Sequence, residues 1–248
     1  MDRLLELTHR AEQSHFWFRG FQWFVQPEIA RAVAGRSSPT LLDCGCGTGA
    51  NVVWLRRYGT AFGFDLTWNG LALGHQMGRN HLARASISAI PFGDESVDVA
   101  TSFDVFQCLP DQIEQHAISE LWRVVKPGGH LILNVAALDV LRGPHSVLSE
   151  EVRRYTPNRL RQVVESAGFV LERLTFLNAT LFPLMLPSRL FQRWRSGNEL
   201  RPGEFDIQVP AAPINALLTG LVRLEAAALR VVDMPIGSSL MCRARKPA

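Results

Sequence analysis

Between residues 40 and 176 the chain repeats one pattern, a short apolar run followed by a segment of helical period. A parallel sheet covered by helices on both faces accommodates that pattern without leaving apolar surface in water. The runs are Thr40 to Cys44, Ala61 to Asp65, Val97 to Phe103, His130 to Ala136 and Phe169 to Phe176. Local punctuation places the helices between them. Thr48 is the expected N-cap of a helix over 51–57, Asp111 opens one over 112–125, and Thr156-Pro157 starts another that stops at Ala167-Gly168. Lys126-Pro127-Gly128-Gly129 is expected to end the second helix and turn the chain into the next strand. The expected fold class is therefore α/β and doubly wound. At 248 residues and 47% hydrophobic composition, the chain is long enough for one large domain or two small ones around a sizeable core.

Several classes drop out on composition. No window of 18 or more residues is free of polar groups, which argues against a membrane-spanning helix, and the first residues carry no apolar leader core. Four cysteines (44, 46, 108, 242) are too few for a disulfide scaffold at this length, so a reducing cytoplasm is the expected compartment. Cys44 and Cys46 lack a second pair of ligands at zinc spacing and read as small fillers of a turn, with no metal expected. The net charge of +3 is too small for a nucleic-acid footprint over the whole surface. Charge is uneven, however: residues 1–177 carry 17 Lys+Arg against 18 Asp+Glu, and residues 178–248 carry 9 against 5. That basic tail suits an anionic substrate or a membrane surface, or is a solvated helix face.

The first strand-to-helix turn, Asp43-Cys44-Gly45-Cys46-Gly47-Thr48-Gly49, carries the chemistry. In a doubly wound sheet such a turn lies at the carboxyl end of the strands, where glycines allow a tight bend and close ligand approach. Asp65 closes the second run 22 residues after Asp43, the spacing from which a carboxylate reaches ribose hydroxyls. Together they point to an adenosine. The spacing here is G-x-G-x-G rather than the dinucleotide G-x-G-x-x-G, and Asp43 places a negative charge by the turn. A carboxylate there is unhelpful to a pyrophosphate but able to pair with the ammonium of an amino acid, so S-adenosylmethionine fits better than NAD.

These residues lie within a longer resemblance. Leu42-Asp43-Cys44-Gly45-Cys46-Gly47-Thr48-Gly49 resembles the first motif of the class I S-adenosylmethionine-dependent methyltransferases, and Gly63-Phe64-Asp65-Leu66 their ribose-binding second motif. Ala89-Ile90-Pro91-Phe92 with Ser96-Val97-Asp98-Val99, then Phe103-Asp104-Val105, then Leu121 to Gly129 are similar to three further family stretches in the same order. The resemblance covers most of the chain. It implies a Rossmann-like, mostly parallel seven-stranded sheet with an α-helical insertion near the C-terminus, and S-adenosyl-L-methionine as cofactor. It assigns the donor to Asp43, Gly45, Gly47, Gly49, Asp65, Leu66 and Phe103. Where many members carry G-D-A, this chain has Ala85-Ser86-Ile87, so Ser86 offers the adenine amino group a neutral acceptor while Ile87 packs on the ring. The family's frequent E-H after the fourth strand is Gln107-Cys108 here.

Glu12-Gln13-Ser14-His15-Phe16-Trp17-Phe18-Arg19-Gly20 is similar to the E-x-x-H-W-W-F-R-G-R opening of a bacterial subgroup. By that resemblance Arg19 pairs with the methionine carboxylate, and the aromatics between positions 16 and 24 cap the sulfonium. The other reading is a core helix with Arg19 as a surface charge. Phe21 stands where the subgroup has its second Arg. Pro144 to Thr156 is similar to the subgroup's H-D-x-x-x-G-H-x-R-R-Y-T loop, with His145 retained and Ser146 and Glu151 as departures. His145 is the candidate general base, for which its intrinsic pKa suits it, and Glu151 is the alternative. Arg153, Arg154 and Tyr155 are the candidate acceptor-binding residues, although the two arginines equally suit ion pairs within the loop.

The organisation expected is a donor-binding domain with an N-terminal helical cap over 1–177, a helical insertion over 178–235 and a final strand over 236–248. In the insertion, Ile214, Leu217, Leu218, Leu221, Leu224 and Val231 recur at helical intervals, which suits core packing, an acceptor cover, a homodimer seam or peripheral membrane contact. The expected activity is methyl transfer to an O, N or C atom of a small acceptor, apolar or lipid-linked. A non-catalytic cofactor-binding or assembly protein is the alternative. A nicotinamide-dependent reductase fits less well, since neither Tyr58 nor Tyr155 stands in a Tyr-x-x-x-Lys pair with Lys126 or Lys246.

Overall fold

The chain was analysed as a computed structural model, which describes residues 15–196 and 210–248. Glu12, Gln13 and Ser14 of the aromatic opening lie outside the described residues. One sheet organises the molecule. Its strands are β1 (Thr40–Cys44), β2 (Thr60–Asp65), β3 (Leu82–Arg84), β4 (Val97–Phe103), β5 (Val125–Ala136), β6 (Val170–Leu177) and β7 (Ser239–Arg245). They lie in the order β3-β2-β1-β4-β5-β7-β6. Pairing from β3 to β5 is parallel, and β7 inserts antiparallel between β5 and β6. The helices are α1 (Phe16–Ala32), α2 (Ala50–Leu55), α3 (Trp68–Gln76), α4 (Asp111–Val124), α5 (Pro144–Leu148), α6 (Pro157–Ser166), α7 (Phe182–Ser196) and α8 (Ala212–Ala228). Among the described residues, no helix is long and apolar enough to cross a membrane.

The strands are apolar on both sides because helices cover both sheet faces. Successive side chains alternate between two cores, with Leu42, Ala100, Leu131, Leu133 and Cys242 in one and Leu41, Val99, Ile132 and Met241 in the other. All seven residues of β4 are buried, which makes it a central strand. Strand β3 escapes the apolar pattern because it is three residues long, at the sheet edge, and two of the three are exposed.

Two local expectations are corrected. Gly49, at φ +79°, occupies the N-cap of α2 with no side-chain cap, while the Thr48 hydroxyl instead accepts a hydrogen bond from Arg79 at 2.5 Å. The Lys126 to Gly129 segment does not precede its strand. β5 begins at Val125, and the pairing with β4 jumps from Val97↔Val125 to Val99↔His130. The intervening residues bulge, and Lys126 within the bulge reaches back to Asp98. Its carboxylate accepts from Lys126 Nζ at 2.8 Å, from Arg36 at 2.8 Å and from the Thr40 N–H at 2.9 Å.

Helix α1 is fastened across the sheet by Glu28, whose fully buried carboxylate pairs with Arg31, with Arg173 of β6 and with Arg243 of β7. Helix α8 lies against α1 at close range, and a Cβ added to Gly20 would come within 2.2 Å of Val222. The buried face of α8 is Val222, Glu225 and Ala226. Its apolar stripe is divided: Leu218 packs against the core and Leu221 is half-buried, whereas Ile214, Leu217 and Leu224 are exposed, as is Val231 beyond the helix end. Glu225 decides that orientation. Its buried carboxylate accepts from the Ala179 and Thr180 N–H groups, each at 2.9 Å, and so turns the Val222 side inward.

Candidate methyl-donor site

The glycine turn leaves β1 beneath the end of β2. Gly45, Gly47 and Gly49 all have positive φ, at +84°, +55° and +79°. The N–H groups of Gly45 and Cys46 both donate to the Phe64 carbonyl at 2.9 Å. Side chains are excluded as well, since a Cβ at Gly45 would lie 2.3 Å from Val105 and one at Gly49 2.6 Å from Leu82. The backbone is thus bare where a ligand approaches.

Asp65 holds this turn in place. One of its oxygens accepts the Gly47 N–H at 2.8 Å and the other accepts the Thr67 N–H at 2.8 Å. A carboxylate oxygen has a second lone pair, so both remain able to accept from ribose hydroxyls. Leu66 beside it is 64% exposed, an open apolar face next to the ribose position. Ile87 is buried in the core cluster with Phe64 and Ile90, and the Ser86 hydroxyl is engaged with Ser88 at 2.8 Å. Of Leu66, Ser86 and Ile87, Leu66 is therefore the one whose side chain is exposed.

Asp43 lies beneath the turn with 1% of its surface exposed. Its Oδ1 accepts from the Thr101 hydroxyl at 2.7 Å, while Oδ2 is buried with no hydrogen-bond partner. Burial, with the Asp65 charge as a smaller contribution, pushes its carboxyl up to about 7 against the pull of its hydrogen bonds. An orphaned buried oxygen of this kind is costly alone and is relieved by a nearby cation. Burial also raises the Cys46 thiol, which packs against Gly63, so the cysteines of the turn are inert fillers of its floor.

Beyond the turn, the carboxyl end of β4 opens on a small recess lined by Trp17, Phe21, Phe24, Asp104, Asn134, Leu177, Asn178 and Ser239. Phe103 is buried edge-on against Phe21, with ring centroids 5.0 Å apart. Asp104 follows it at φ +59° and faces the open side. Its Oδ1 accepts from Asn134 Nδ2 at 2.9 Å and Gln107 Nε2 at 3.5 Å. Enclosure by the surrounding protein, with a smaller push from Glu151, raises its carboxyl to about 6. The sequence placed Asp104 within the Phe103-Asp104-Val105 stretch similar to the family but assigned only Phe103 to the donor, and it named no role for Asn134. The available signal was an acidic residue just past the end of a wholly apolar strand, where ligands of open α/β sheets bind.

The remaining candidates lie elsewhere. Helical geometry puts Arg19 about half a turn from the face bearing Trp17, Phe21 and Phe24. It is exposed, with its guanidinium 5.8 Å from the Trp23 ring centroid, which corrects its assignment to the methionine carboxylate. Glu151 is buried and paired with Arg154 at 3.0 Å, and a carboxylate so held is a poor free base. Arg154 also donates to the Ala137 carbonyl at 3.2 Å, and Arg153 pairs with Asp111 at 2.8 Å and Glu114 at 2.9 Å. Both arginines therefore tie the loop to the domain. Tyr155 is wholly buried and its hydroxyl donates to Glu114, so it anchors the loop rather than touching an acceptor. His145 lies on α5, and its side chain is outside the described residues. A cleft of about 690 Å³ between α1 and α8, lined by Trp23, Tyr58, Arg31 and Arg223, flanks the segment entering β2 and is not continuous with the turn's lining residues.

A family described as a methyltransferase domain matches residues 42–133, the stretch from the glycine turn into β5. Over 212 residues the chain is 30% identical to a malonyl-[acyl-carrier protein] O-methyltransferase of Herminiimonas arsenicoxydans, covering 78% of each protein. The chain belongs to the class I S-adenosylmethionine-dependent methyltransferases. A second malonyl-[acyl-carrier protein] O-methyltransferase, from Erwinia billingiae, is 30% identical over 138 residues, 53% of this chain and 53% of that protein. In matches of this shorter kind the chain spans about half the length of its relatives. In fold it is similar to Haemonchus contortus phosphoethanolamine N-methyltransferase 2 solved with S-adenosyl-L-methionine. The TM-score is 0.63 at 16% identity, over 100% of this chain and 58% of that one.

Proposed function

We propose that the chain transfers the methyl group of S-adenosylmethionine to a small acyl-type acceptor, apolar or carried on a lipid or carrier. The observation that carries this reading is the glycine turn with its two carboxylates, Asp65 clamping the bend and Asp43 presenting a buried oxygen that lacks a partner. The residues fit the donor. Gly45, Gly47 and Gly49 receive its amino-acid end on bare backbone, Asp43 answers its ammonium, Asp65 its ribose hydroxyls and Leu66 the adenine face. When bound, the cofactor supplies an activated methyl group. The protein's part is then to hold an acceptor atom in line and exclude water, a role for which Trp17, Phe21 and Phe24 beside the turn are the candidates. The names of the malonyl-[acyl-carrier protein] relatives support an acyl-type acceptor.

Titration calorimetry with S-adenosylmethionine, S-adenosylhomocysteine and NADH tests the donor. The first two are expected to bind, and Asp65→Ala to weaken both more than tenfold because the ribose acceptors and the clamp on Gly47 go together. Tight NADH binding with no response to the other two would sink the reading. Transfer of labelled methyl onto malonyl-acyl carrier protein, compared with a lipid extract, then tests the acceptor. Donor binding with no transfer to either would favour the non-catalytic alternative.

A further inference from the structure

Asp104 is a carboxylate that neither the glycine turn nor the loop before α6 uses. Register places it. In the β1–β4 pairing Asp43 lies opposite Thr101, so the chain two to three residues further along β4 runs beside the glycine turn. Val105 confirms the proximity by packing where a Gly45 Cβ would lie. Asp104 therefore stands between the amino-acid end of the donor cradle and the aromatic recess. Its backbone is held in the left-handed region at φ +59°, with its N–H donating to the Asn134 carbonyl at 2.9 Å. The Asn134 and Gln107 amides fix one carboxylate oxygen. The held geometry leaves the carboxylate facing the recess with no cation of its own.

We infer that Asp104 reads the charge of the methyl group's carrier, favouring the sulfonium donor over the neutral thioether that remains after transfer. The inference rests on the donor reading above and deepens it. Asp104 is exposed on the open side of the recess, with protein crowded around its other sides. A carboxylate so placed attracts a sulfonium seated over it more strongly than one in bulk water, while having no corresponding interaction with a thioether. Once the methyl leaves, that attraction ends, so spent cofactor is held less tightly and product inhibition is relieved. The other walls of the recess, Trp17, Phe21 and Phe24 from α1, Asn178 after β6 and Ser239 of β7, bring no charge. Glu151 and Arg154, whose charges reach Asp104 from the loop before α6, are paired with one another. Asp43 lies below, but it faces the ammonium that donor and product share, so its effect cancels in a comparison of the two.

Calorimetric affinities for S-adenosylmethionine and S-adenosylhomocysteine, measured from pH 5 to pH 8 on the whole chain, test this. Protonated Asp104 exerts no attraction, so the preference for the sulfonium should rise several-fold from pH 5 and level off above about pH 6. Asp104→Asn should hold the ratio flat at its low-pH value while leaving S-adenosylhomocysteine affinity within about twofold. Asparagine tolerates left-handed backbone, so that variant is suited to fold. Should it not, the titration of the unmodified protein decides alone. A ratio independent of pH, or a pH dependence that survives in Asp104→Asn, would overturn the inference. Failure of both ligands to bind would instead remove the donor reading beneath it.

Discussion

At the scale of single residues, the donor site is built from groups placed where they are uncomfortable without a ligand. Gly45 shows the steric side. Alanine there would combine left-handed backbone with a methyl 2.3 Å from Val105, so Gly45→Ala should cost about 1–3 kcal/mol in urea unfolding and about tenfold in donor affinity. Asp43 shows the electrostatic side. Its carboxyl is raised to about 7 in the folded protein against an ordinary value of 3.8. Between those two values the native state binds more protons than the unfolded one, so the empty protein loses stability as pH rises through the window. The loss should approach about 1.4 kcal/mol per pH unit at most for one proton. Asp43→Asn should lessen this slope in thermal unfolding scans, most clearly between pH 6 and 7 above the range in which Asp104 also contributes, while weakening donor binding at pH 8. An unchanged slope in the variant would mean that other groups carry it.

At the scale of elements, two devices fasten the parts that frame the recess. Glu28 ties α1 to β6 and β7 through Arg173 and Arg243, and α1 carries the aromatic wall. Glu28→Ala leaves two largely buried guanidiniums short of their shared partner. Stability should fall by about 3 kcal/mol, seen as a lower urea midpoint at constant slope, with donor affinity falling in parallel as α1 loosens. The second device is the loop before α6. Its Arg153-Arg154-Tyr155 run looks from its residue types like an anion-binding surface. Instead Glu114 and Glu151 satisfy these side chains internally and leave the loop as a brace. Glu114, on another element and about forty residues away, supplied a partner that local reading could not assign.

At the scale of the whole molecule, the sheet sets one site at the carboxyl ends of β1, β2 and β4, and the helices after β6 give the molecule an apolar exterior. Leu217 and Leu224 of α8 are 66% and 69% exposed. Leu224→Gln should therefore leave stability within about 0.5 kcal/mol by urea unfolding, whereas a loss of 2 kcal/mol or more would show that this face is covered in solution.

Legibility followed range. The strand runs, the G-x-G-x-G bend and its partner Asp65 are encoded within short windows, because backbone φ, period-two burial and the spacing of one βαβ unit are local properties. Those features, read together, determined the fold class and the kind of cofactor from the sequence by itself. The tertiary structure decided which face of α1 lines the recess and so moved Arg19 out of it. It turned Ile214, Leu217 and Leu224 of α8 outward and brought Asp104 beside Asn134 at the mouth of β4. Each of these depends on a charge or hydrogen-bond partner tens of residues away or on the choice of helix face, and neither burial nor pairing across such a distance is fixed by the neighbours along the chain.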